Sequence, residues 1–105
     1  MLTQAAYGEM GMPNDAETGL LLAGSAGFRA IARDGPLGAV ETPLFPPDAR
    51  EPDFLVLRTG SGLRVRRPIV STALVEAVDA DRRVVRLAGS RREIASLPEH
   101  VPIAG

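Results

Sequence analysis

The sequence predicts a mainly β domain, a small six-stranded barrel with one short helix at its C-terminal end. Three observations carry this. Short apolar runs between Leu20 and Leu87 either alternate with polar residues or are apolar throughout. Compact turn signals separate those runs at close spacing. Ser90-Arg91-Arg92-Glu93 then has the spacing of a capping box, the signature of a helix N-terminus.

Taken in order, residues 1–18 read as a flexible leader and 19–105 as the folded domain. Gly8, Gly11, Pro13, Asn14 and Asp15 break any period in the leader. Leu20, Leu21 and Leu22 are expected to enter the fold as a first strand, before Gly24-Ser25-Ala26-Gly27 turns the chain. Phe28, Ala30 and Ala32 alternate with Arg29, Ile31 and Arg33, the period of a strand with two unlike faces. Asp34-Gly35 is a hairpin signal. Leu37 to Phe45 continues as a strand, with Gly38 marking a bulge or a close backbone approach. Pro46, Pro47 and Pro52 make the next connection stiff and non-helical.

Asp53 to Arg58 is apolar on both faces and reads as a strand buried on both. Gly60-Ser61-Gly62 forms a hairpin loop into Leu63 to Val70, where Pro68 predicts an exposed edge or a bulge. Ala73 to Val78 and Arg83 to Leu87 are two further strands joined through Asp79-Ala80-Asp81-Arg82. Ile94 and Leu97 share one face of the closing helix, and Pro98 stops it.

Composition narrows the function classes. A chain of 105 residues supports one core. With no cysteine, disulfides, thiolate metal sites and a cysteine nucleophile are excluded. Met1 to Met12 holds no Lys or Arg, and the uncharged stretch from Thr18 to Phe28 is too short to span a bilayer, so a cytoplasmic location without membrane contact is expected. The net charge of −1 hides an asymmetry. Residues 1–55 carry three Arg against eight acids, a balance of −5, whereas 56–105 carry nine Arg against five acids, a balance of +4. Every basic residue apart from the single histidine is arginine.

No constellation of residues points to catalysis. His100 is the only histidine and has no second ligand to share a metal with, so no metal or cofactor is expected. There is no nucleophile elbow and no phosphate loop. Asp79 and Asp81 sit in a turn, where aspartate bonds the turn backbone. The arginines of the C-terminal half remain. Arg64, Arg66, Arg67, Arg83 and Arg86 are the candidate partner-binding residues, set against the alternative that carboxylates such as Glu76 and Asp79 pair with arginines across strands.

The order of these pieces resembles the PRC-barrel family. Asp34-Gly35-Pro36-Leu37-Gly38-Ala39-Val40 is similar to the family's opening hairpin, and Phe54-Leu55-Val56-Leu57-Arg58 to its central strand. Arg66-Arg67-Pro68-Ile69-Val70-Ser71 is similar to its arginine-rich strand. Val84-Val85-Arg86-Leu87 and Ser90 to Glu99 are similar to its close. The departures are the proline-rich insertion at Pro46 to Pro52 and Ser71 at a position that is often proline. The resemblance implies a PRC-type barrel that serves as a non-catalytic binding or scaffolding module and transfers no catalytic residue. The expected partner is a protein, a second copy of the chain included. The alternative is an RNA- or ribosome-associated accessory domain that uses the arginine-rich half.

Overall fold

The computed structural model describes residues 15–100. Their order is α1 (Asp15–Ala23), β1 (Arg29–Ala32), β2 (Gly35–Leu44), β3 (Phe54–Thr59), β4 (Ile69–Ser71), β5 (Val75–Asp79), β6 (Val84–Leu87) and α2 (Arg91–Ala95). The six strands form one sheet in the order β4-β3-β2-β1-β6-β5. Neighbours are antiparallel except β1 and β6, which run parallel. The mainly β expectation holds, and the sheet is a curled half-barrel.

A short link imposes the curl. Laid flat, six strands would set β4 and β5 about 24 Å apart at their usual spacing. Yet β4 ends at Ser71 and β5 begins at Val75, joined by a 3-10 turn over Thr72–Leu74. Four residue steps reach at most ~14 Å. The sheet must therefore bend until its two end strands approach at that corner. Its concave side gathers a core that includes Leu22, Val40, Leu55, Leu57, Val85 and Ile94.

The first apolar run departs from expectation. Leu20 to Leu22 lie in α1, not in a strand. Three adjacent leucines carry no period, and with Ala16, Glu17 and Ala23 they favour a helix over the β-branched strand pattern. Only Leu22 of the three is buried, and Leu20 is 59% exposed. At the C-terminal end of α1 the buried Ser25 hydroxyl donates to the Leu22 carbonyl at 2.7 Å, satisfying a group that the helix leaves open. Asp15 to Thr18, assigned by sequence to the leader, thus belong to α1; the rest of the leader lies outside the described residues.

Gly38 does what the sequence predicts of it. Ala30 faces Gly38 but Ile31 faces Pro36, so Leu37 is the extra residue of a bulge. A Cβ on Gly38 would also overlap the Arg58 carbonyl oxygen of the neighbouring strand. The Gly60 and Gly62 loop turns with φ of 80° and 57°, values that suit glycine.

Leu63 to Val70 is less regular than its alternation suggests. Gly62–Arg64 is a 3-10 turn, Arg66 bridges Thr59, and only Ile69–Ser71 is a strand. The edge expected to be exposed near Pro68 is covered. Pro68 is fully buried and bridges Glu99. The Ile69 N–H donates to the Pro98 carbonyl at 2.8 Å, and the His100 N–H to the Arg67 carbonyl at 2.8 Å. The chain after α2 thus seals the β4 edge, a common protection against strand-to-strand association.

The capping box forms as its spacing predicts. The Glu93 N–H donates to the Ser90 hydroxyl at 3.0 Å, and the Ser90 N–H to the Glu93 carboxylate at 2.9 Å. The Asp34 carboxylate accepts from the Arg91 N–H at 2.8 Å, tying the β1–β2 hairpin to this helix. Among the described residues no helix is long and apolar enough to cross a membrane.

Candidate docking surfaces

The twelve arginines divide by what their guanidinium groups meet. Five are ion-paired: Arg33 with Glu76 at 2.8 Å, Arg66 with Glu99 at 3.5 Å, Arg67 with Glu41 at 3.0 Å, Arg82 with Asp79 at 3.6 Å and Arg91 with Asp34 at 3.8 Å. All are surface pairs, which contribute little each. The hydrogen bond that Arg33 donates to Glu76, and then the charge of Glu76, push the Arg33 guanidinium above its ordinary value. Asp79 also accepts the Arg82 N–H at 3.0 Å, the turn role expected of it.

The five arginines singled out by sequence do not form one cluster. Arg64 is exposed at the end of the 3-10 turn, beside the fully exposed Leu63. Arg66 and Arg67 follow it, each held by a glutamate. Arg83 and Arg86 lie on the β6 side, three strand positions from β3. Arg83 adopts a left-handed φ of 58° and stacks its guanidinium 5.4 Å from the Phe28 ring centroid, a cation–π contact. Arg86 is exposed on β6 and forms no ion pair with any described residue.

Two arginines that the sequence did not single out join Arg86. Across the sheet, Arg58 of β3 faces Ala39 of β2, which faces Arg29 of β1, which faces Val84 of β6. Residues directly opposite share a sheet face, so Arg29 and Arg58 flank Ala39 on the convex side, about 10 Å apart. Arg86 faces Ile31, two residues along β1 from Arg29, and so occupies the same side. All three are exposed, without an ion pair to any described residue. The signal was present in the period of each strand: Arg29 alternates with Phe28 and Ala30, and Arg58 with Leu57 and Thr59.

An apolar groove occupies the other end of this side. Leu44, Phe54, Ile69, Leu74, Leu97 and Pro98 line about 450 Å³. Phe54 is 41% exposed and Phe45, next to Leu44, 44% exposed. Sequence reasoning missed it because its walls come from five separate segments, brought together only by the curl and by the chain after α2. A second, more polar cleft of about 540 Å³ adjoins it at Phe54 and Ser71 and reaches Thr18, Gly19 and Leu22 of α1. A Cβ on Gly19 would meet the end of the Glu51 side chain, which is flexible and can swing aside.

Among the described residues no three His, Cys, Asp or Glu side chains gather in a way that would hold a metal ion. No buried side-chain polar atom among them lacks a hydrogen-bond partner. Fold and surface together define a class: a small mainly β half-barrel with an apolar groove and unpaired arginines on its convex side. Comparison of the sequence with protein-family models and with curated proteins finds no match.

Proposed function

We propose that this chain is a non-catalytic binding module that docks a protein partner in the groove at Phe54. One observation carries the reading: a large aromatic side chain stands 41% exposed in an apolar groove on a domain small enough to need its apolar surface buried. Exposed aromatics in such pockets are the usual anchors of protein contacts. The PRC-barrel reading stands beside it as a proposal, supported by the order of the quoted motifs and by the six-stranded mainly β sheet. An RNA-associated role is a second reading, favoured by the unpaired Arg29, Arg58 and Arg86.

A photo-crosslinking residue placed at Phe45 tests the first reading in cells. Discrete protein adducts are expected, including any second copy, and Phe54→Ser should remove them. Adducts no different from those of the same probe at Asp81, in the β5–β6 turn, would sink the idea.

A further inference from the structure

The groove and the arginines lie on one face of one strand. Phe54, Val56 and Arg58 alternate with the core residues Leu55 and Leu57 along β3, so all three face the convex side. From Phe54 to Arg58 is four residues, or about 13 Å. Between them Val56 is fully buried although it faces outward and stands outside the core cluster. Its cover follows from register. Arg67, flanked by the β3-bound Arg66 and Pro68, lies on one side of β3, and Glu41 of β2 on the other. The Arg67 Nε donates to both Glu41 carboxylate oxygens at 3.0 Å, so the ion pair straps β3 on its outer side.

We infer that this face is one composite docking surface for an acidic protein segment with an apolar anchor: the anchor enters the groove at Phe54, carboxylates about 13 Å away meet Arg58, and further carboxylates reach Arg29 and Arg86 beyond it. The inference rests on the groove reading and adds to it the chemistry of the partner. Charge complementarity selects the occupant. Five arginines of this chain already hold carboxylates. Of the seven without an ion pair to any described residue, Arg29, Arg58 and Arg86 share one face, where planar guanidinium groups can take carboxylates. A nucleic acid would use the arginines but leaves the aliphatic walls of Leu44, Ile69, Leu74 and Leu97 unexplained. The spacing sets the ligand's pattern. Anchor and acid are separated by about four residues if the segment is extended, or about nine if it is helical.

A random-peptide library displayed on phage and selected on the full chain tests this. The enriched peptides are expected to pair an apolar anchor with acidic residues at one of those spacings. One enriched peptide is then synthesised with its acids intact and with each Glu or Asp changed to Gln or Asn, and its binding is followed by fluorescence anisotropy. Arg29→Gln and Arg58→Gln should each weaken the acidic form by about threefold to tenfold. Neither should affect the neutral form, and Phe54→Ser should weaken both. Thermal melts establish that each variant is folded.

If Phe54→Ser abolishes binding while the arginine variants and the neutral peptide change nothing, the groove reading survives and the composite surface falls. If no peptide is enriched, or none depends on Phe54, both fall. An RNA hairpin that binds through Arg29 and Arg58 without Phe54, and displaces the peptide, assigns the face to nucleic acid and overturns the inference.

Discussion

Gly38→Ala probes the tightest point between β2 and β3. The new methyl would overlap the Arg58 carbonyl oxygen, which is backbone and cannot swing aside as a side chain does. The strands must separate where Gly38 pairs with Thr59. Overpacking of this kind costs about 1–3 kcal/mol. Weakening one or two ladder hydrogen bonds adds about 1 kcal/mol. A total of about 3 kcal/mol follows, a large share of the 5–15 kcal/mol typical of such domains. At roughly 4–8 °C per kcal/mol, the melting temperature should fall by about 12–24 °C.

Urea denaturation followed by circular dichroism should show a lower midpoint with an unchanged slope, the mark of a loss of stability with both end states intact. Gly24→Ala is the control. Nothing lies within 4 Å of its Cβ position, so a change within about 0.5 kcal/mol is expected, or a small gain from reduced freedom of the unfolded chain. If Gly38→Ala matched Gly24→Ala, the close approach, and with it the β2–β3 register, would be wrong.

Ser90→Ala removes one half of the capping box and should cost about 1 kcal/mol by thermal denaturation, with α2 fraying first in hydrogen exchange. The Arg33–Glu76 pair should respond to salt but not to pH around neutrality. A guanidinium whose value is raised on folding contributes stability that is complete below its unfolded value and lost only as pH rises through the folded one, far above neutral. A step in the melting temperature at neutral pH that Arg33→Gln abolished would contradict that sign.

Local chemistry was the most legible part of the sequence. Gly38, the Asp79 turn, the Ser90–Glu93 box and the doubly buried Leu55-Val56-Leu57 run each follow from a requirement that neighbouring residues state by themselves. What depended on distant partners was not legible. Leu20 to Leu22 carry no period, so only the propensity of their neighbours tips the run to helix, a weak signal that tertiary packing routinely overrides. Pro68 signals an edge, but only the fold shows that Pro98 to His100 cover it. The arginines show the same limit. Crowding along the chain favoured Arg64, Arg66 and Arg67, two of which meet glutamates at positions 99 and 41. The unpaired arginines of the convex face include Arg29 and Arg86, which are far apart in sequence and close only because β1 and β6 are adjacent.

That adjacency also orders events during synthesis. The strands β1 to β4 form a meander that can assemble as each emerges from the ribosome, since every pairing within it joins consecutive strands. The other side of β1 must wait for β6, more than fifty residues later, and at synthesis rates of about 5–20 residues per second that delay lasts several seconds. Through that interval the half-built sheet presents an open flank with Arg29 and Arg33 along it. Charge repulsion between nascent chains at that flank would discourage strand exchange until β6 arrives.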